Sequence, residues 1–228
     1  GYLAANTVPG AVSGWGEAYA FSRSALGTRM PWRELFASAL DYAANGFPVS
    51  SSLARWSAVN ASTADDVQRN LQRFPEFARI FMKDGAPLRA GDILRQPDLA
   101  ATLEAVAEGG AGVFYAGDVA AAMAAELEAH GALITREDFA AHRAEWVKPI
   151  RVKYRGYEAC NLPPNCQGMA SLEILNILEN FDVAALGEGS ADYYHVLIEA
   201  TKEAFLDRDR YLSDPDFVSV PLADLLSE

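Results

Sequence analysis

The sequence predicts a mainly α chain with a small β portion, an α+β class, on three observations. Apolar residues recur at helical spacing through the first two thirds. Near Trp146 that period gives way to alternation, and after Pro163-Pro164 it returns and holds to Leu212. At 228 residues, with 50% hydrophobic and 22% charged residues, the chain is long and apolar enough to bury a core.

Taken in order, Pro31 suits a helix start, Leu35, Ala39, Leu40 and Ala43 share one face, and Gly46 supplies the stop. A second helix is expected over Asp98 to Glu108, with Leu99, Leu103 and Val106 on one side and Gly109-Gly110 ending it. A third, rich in alanine, runs from about Asp118 to His130 and closes at Gly131. Thr135 with Asp138 three residues on is an N-cap pair opening a short helix through His142. Residues 1–145 therefore form a helical lobe.

Trp146 to Tyr154 and Tyr157 to Leu162 are strand-like, and Arg155-Gly156 between them predicts a tight antiparallel hairpin. Pro163-Pro164 blocks further ladder bonding, and a helix follows from about Gly168 to Asn180, with Leu172, Leu175, Ile177 and Leu178 apolar. Gly187 and Gly189 interrupt. The longest helix, Ser190 to Leu212, carries an apolar stripe of Tyr194, Leu197, Ile198, Ala204, Phe205, Tyr211 and Leu212.

A net charge of −12, with basic residues scattered among acids, argues against nucleic-acid binding, which needs clustered Lys and Arg. No uninterrupted run of about 20 apolar residues is present, so no membrane-spanning helix is expected. Two cysteines are too few for a disulfide-stapled scaffold. Cys160, in a strand, is expected to be a buried free thiol, and Cys166 lies in the following turn with no histidine near it in sequence. The three histidines form no metal-ligand spacing, and no G-x-S-x-G elbow is present, so neither a zinc site nor a Ser-His-Asp triad is expected. The run Asp207-Arg208-Asp209-Arg210, followed by Asp214-Pro215-Asp216, alternates in sign; ion pairs locking the helix end to the Asp-Pro turn are expected rather than a metal site.

The turn Asn165-Cys166-Gln167-Gly168 is the local candidate for contact with a substrate or a catalytic partner. Backbone N–H groups at the start of a helix suit a carboxylate or an oxyanion. The competing explanation is a plain strand-to-helix turn, in which Asn165 caps the helix and Gly168 permits close packing.

Thr7-Val8-Pro9-Gly10-Ala11-Val12-Ser13-Gly14-Trp15, the helical run from Pro31-Trp32 through Gly46-Phe47, Gly91 to Leu103, Phe114-Tyr115-Ala116-Gly117, Gly131 to Asp138 and the run Tyr154 to Pro221 follow one another in an order that resembles the γ-glutamyltranspeptidase family. Where transpeptidases proper read PPPSSGG, this chain reads Pro163-Pro164-Asn165-Cys166-Gln167-Gly168-Met169, which marks a divergent member.

The resemblance implies a fragment of the large subunit of an N-terminal nucleophile hydrolase. Residues 1–145 would be its helical lobe, and 146–228 would supply a hairpin and helices to an αββα sandwich. It also implies a partner, the small catalytic subunit cut from the same precursor by autoprocessing, whose first-residue threonine attacks a γ-glutamyl or other amide. No catalytic residue is then expected in this chain, and no metal or organic cofactor. The chemistry agrees: such a nucleophile needs its own α-amino group as base, and Gly1 has no side chain, so this chain alone is expected to be inactive. Because Gly1 opens onto a block that is internal in the family, the N-terminal region is expected to lie outside this sequence. The compartment, whether periplasmic, secreted or cytoplasmic, is left open. An amide acylase of the β-lactam type on the same scaffold, and a non-enzymatic helical binding module, are the two other functions the sequence allows.

Overall fold

The computed structural model describes residues 7–62 and 74–227, and the chain separates into two compact units, Gly1–Ala144 and Glu145–Glu228. It is mainly helical with short strands, in the α+β class the sequence predicts.

The first unit is built on helices α1 (Ala11–Ala25), α2 (Ala37–Asn45), α3 (Ser51–Ser62), α4 (Pro75–Phe81), α5 (Pro97–Gly109), α6 (Gly112–Ala116), α7 (Asp118–Ala129) and α8 (Arg136–Ala141). Helix α1 escaped the periodicity reading because Gly14 and Gly16 lower its intrinsic propensity. Gly16 belongs there for packing, since a Cβ at that position would meet the Ala111 side chain at 2.9 Å. The short strands β1 (Phe47–Pro48), β2 (Met82–Lys83), β3 (Ala86–Pro87) and β4 (Ile93–Leu94) pair antiparallel as β1 with β4 and β2 with β3.

Among the described residues, two apolar clusters hold this unit. The larger joins Val12, Phe36, Val106, Ala107, Tyr115, Ala120, Ala124 and Phe139. Its rim is tied by the Trp32 indole, which donates to the Val106 carbonyl at 2.9 Å and meets Phe36 edge to face. The smaller, Val49, Leu88 and Leu94, sits under the short strands. The start of α8 carries the expected capping box: the Thr135 hydroxyl accepts from the Asp138 N–H at 3.3 Å while the Asp138 carboxylate accepts from the Thr135 N–H at 2.8 Å.

The second unit begins with the hairpin β5 (Ile150–Tyr154) and β6 (Tyr157–Asn161), paired from Ile150 with Asn161 to Tyr154 with Tyr157. Arg155 and Gly156 both take positive φ, 51° and 80°, the two left-handed positions of a type I′ turn. The first strand is shorter than predicted; Pro149 has no N–H to give a ladder, so pairing starts only at Ile150. Helices α9 (Gly168–Glu179), α10 (Ala191–Tyr211) and α11 (Leu222–Leu225) complete the unit. Helix α9 lies on one face of the hairpin and buries Val152, and on its other side it meets α10.

Two expectations are corrected here. Cys160 is exposed, because it pairs with Arg151 on the hairpin face turned away from α9, while the Val152–Ala159 pair takes the covered face. The stripe predicted for α10 is covered only in part: Ala204 is buried and Leu197, Tyr211 and Leu212 are half-buried. Ala200 and Ala204 are the residues buried in this helix, whereas Tyr194, Ile198, Phe205 and Leu206 stay exposed, Ile198 at 55%. The small alanine side chains let a neighbouring backbone approach, and the helix is apolar on a second face as well.

Candidate functional site

In the second unit the chain leaves β6 at Asn161, turns at Pro163 and Pro164, and enters α9 at Gly168. Asn165, Cys166 and Gln167 are exposed and Gly168 is buried. The turn is closed by the Cys166 N–H donating to the Pro163 carbonyl at 3.1 Å. The cap position of α9 is Gln167, and no side chain caps it. Asn165 therefore is not the helix cap that the plain-turn explanation requires. The N–H groups of Gln167 and Gly168 have no acceptor among the described residues, so the positive end of α9 is open.

Gly168 does what that explanation asks of it. A Cβ there would run into the Leu162 carbonyl oxygen and stand 2.8 Å from the Asn161 side-chain oxygen. Asn161 is itself held: its amide donates to Ser171 Oγ at 2.8 Å, and its oxygen accepts from the Leu162 N–H at 2.8 Å. The helix start is thus seated directly on the strand end, with no slack. Beside the turn a cleft of about 560 Å³ is lined by Pro163, Pro164, Asp216, Phe217, Val218 and Val220, with Phe217 86% exposed.

Gln167 is tethered from the other side by the Arg208 guanidinium, which donates to Gln167 Oε1 at 3.3 Å, stacks over the Phe205 ring and pairs with Asp209 at 2.6 Å. This revises the role expected for the Asp-Arg run. No ion pair joins Arg208 or Arg210 to Asp214 or Asp216 among the described residues; Asp214 closes its own turn by accepting from the Asp216 N–H, and Arg210 lies over Tyr211. Among the described residues no group of three or more His, Cys, Asp or Glu is arranged to hold a metal ion. None of the described helices is long and apolar enough to cross a membrane.

Sequence reasoning missed Glu173. It is 6% exposed on the α10-facing side of α9, its Oε2 has no hydrogen-bond partner among the described residues, and burial, then the neighbouring Asp207 carboxyl, push it up to about 8. The available signal was an acid standing four residues after Met169 and four before Ile177, on the apolar stripe of the helix.

In the first unit the fold brings Ser13 and His142 together, Oγ to Nε2 at 2.8 Å, with His142 stacked on Tyr115. The Ser13 hydroxyl also lies 2.8 Å from the Gly10 carbonyl, which can only accept. Ser13 has one hydroxyl proton for these two neighbours, and the imidazole tautomer sets which side of the Ser13–His142 contact donates. Tyr115 adds two bonds, accepting from the Ser13 N–H at 3.0 Å and donating to the Pro9 carbonyl at 2.7 Å. The group fastens the Pro9-Gly10 segment to α6 and α8. His130 and His195 lie exposed elsewhere.

The family model described as Gamma-glutamyltranspeptidase matches residues 1–228. The chain is 40% identical to the glutathione hydrolase-like YwrD proenzyme of Bacillus subtilis over all of its own length and 41% of that protein. It is 39% identical to the Acylase ACY 1 proenzyme of Pseudomonas sp. strain SE83, over 97% of its length and 38% of the acylase. Among solved structures it superposes on the γ-glutamyltranspeptidase of Helicobacter pylori with a TM-score of 0.82 and 33% identity, covering all of this chain and 62% of that one. The chain thus spans about two fifths of the curated relatives it matches.

Proposed function

The chain belongs to the γ-glutamyltranspeptidase family, and from that premise we propose that it is the large-subunit portion of an amide hydrolase or acyltransferase whose nucleophile lies on a small subunit of the same precursor. The match of the family model to the whole chain carries this reading, and the proenzyme relatives, matched over about two fifths of their length, support it. Residues 1–145 act as the helical lobe, and residues 146–228 contribute a hairpin and helices to the catalytic core. A small-subunit threonine attacks a γ-glutamyl amide, the C–N bond breaks and the amine leaves with the proton given up by the hydroxyl; the acyl-enzyme then passes its acyl group to water or to an amine, and the threonine hydroxyl is restored. No metal or organic cofactor is needed for that sequence of steps.

The role proposed for the turn is recognition. The open N–H groups of Gln167 and Gly168 offer donors for a carboxylate or for a polar group of the catalytic subunit, and the neighbouring cleft offers apolar surface. Asn165, Cys166, Gln167 and Gly168 are the proposed contact residues.

A second reading, an acylase acting on another amide, is favoured by the 39% identity to Acylase ACY 1 and by the loss of both serines from the turn. The full-length protein separates the two. Release of p-nitroaniline from γ-glutamyl-p-nitroanilide supports the first; hydrolysis confined to glutaryl-type amides supports the second. Failure to cleave either, with no splitting of the precursor on a denaturing gel, overturns both.

A further inference from the structure

Glu173 carries a carboxyl that the proposed chemistry does not use and the fold does not satisfy. It is buried, and Oε2 has no partner among the described residues. Across the seam between α9 and α10, Asp207, half-buried and three residues beyond the buried Ala204, is the neighbouring carboxyl. Two carboxylates both lack a donor, so the pair can bond only when one holds a proton. Ala200 and Ala204 keep α10 close, and both are buried.

Among the described residues no cation is paired with either carboxyl. On α10, Arg208 turns to Gln167 and Asp209, and Glu203 is exposed. On the hairpin, Arg151 and Lys153 are exposed, with Arg151 paired to Glu158. Glu179, at the far end of α9, engages Arg155, and Asp224 of α11 is exposed.

We propose that Glu173 and Asp207 share one proton across the α9–α10 seam, with Glu173 as donor, and that losing this proton to solvent loosens the seam and, through the Arg208–Gln167 bond, the Asn165–Gly168 turn. The seam latch stands on its own geometry; its effect on catalysis rests on the proposed role of the turn. Because the carboxyl of Glu173 is raised above its ordinary value, the unfolded chain gives up this proton first. The latch stabilises fully below the ordinary carboxylate range and is lost as pH rises toward about 8, above which no further change follows.

The test uses the full-length protein and its Glu173→Gln and Asp207→Asn variants. Infrared spectra are compared between about pH 6 and about pH 10, a window in which ordinary carboxyls are already ionised. The wild type shows one protonated-carboxyl band lost across that window. Glu173→Gln lacks it, and Asp207→Asn, which removes the repelling charge, moves its loss to lower pH. Amide exchange in α9 and α10, corrected for intrinsic rate, accelerates by up to about a hundredfold over the two pH units below 8 in the wild type and stays flat in Glu173→Gln. A wild-type spectrum without the band, or exchange equally pH-dependent in Glu173→Gln, overturns the latch. If the band and the exchange behave as stated but kcat/KM ignores the same titration, the latch holds and the link to the turn is overturned.

Discussion

Replacing Gly168 by alanine adds one methyl group at the place where α9 starts on the end of β6. The new Cβ would overlap the Leu162 carbonyl oxygen and lie 2.8 Å from Asn161 Oδ1. Neither neighbour can step aside cheaply: the first is backbone, and the second is held by Ser171 and the Leu162 N–H. Relief requires the start of α9 to move by about 1 Å, an overpacking change that costs about 1–3 kcal/mol. For a chain of this size that lowers Tm by about 2–4 °C per kcal/mol. If the turn contacts substrate or its catalytic partner, a shift of about 1 Å also lowers kcat/KM by about a hundredfold. Gly14→Ala is the matched control. It is the same chemical change in the interior of α1, where a Cβ meets nothing within 4 Å, so it stabilises by about 0.5–1 kcal/mol through helix propensity and unfolded-state entropy. Both variants are measured by denaturant titration at constant m and by steady-state kinetics of the full-length enzyme. Equal midpoints for Gly168→Ala and wild type would refute the close-approach argument, and unchanged kcat/KM beside a lowered midpoint would refute the functional role of the turn.

Phe139, 1% exposed and central to the larger cluster, loses about 3–5 kcal/mol on truncation to alanine, read as a lower denaturation midpoint. Tyr115→Phe removes the hydroxyl that serves both the Ser13 N–H and the Pro9 carbonyl, and costs about 1–3 kcal/mol with faster amide exchange at Ser13. The N–H and hydroxyl of Thr135 hold the Asp138 carboxyl below the ordinary carboxylate range, so the capping box is intact above that range and is lost as pH falls through the depressed value; Thr135→Ala brings the carboxyl titration, followed by NMR, back toward the ordinary range.

Elements with local signals were legible from the chain alone. Gly110 ends α5, Thr135 and Asp138 cap α8, Arg155-Gly156 turn the hairpin and Ser190 caps α10, each through groups within a few residues of one another. Helix α1 was hidden because its two glycines lower local propensity while one of them, Gly16, serves packing against a residue far along the chain. The stripe predicted for α10 is covered only in part for a related reason. Periodicity finds apolar stripes, but alanine faces and tyrosine–isoleucine faces both qualify, and only the neighbour decides which is covered.

By itself the sequence determined the α+β class, the ends of several helices, the hairpin and the family, because these rest on short-range backbone chemistry and on ordered blocks of residues. Tertiary structure alone decided that Ser13 meets His142, that Cys160 faces outward, that Gly168 has no room for a side chain and that Glu173 faces Asp207 in a buried seam. The partners in the Ser13 and Glu173 contacts lie 129 and 34 positions apart, a separation that no local period encodes. Their chemistry follows from burial and approach, which exist only once helices and strands have packed.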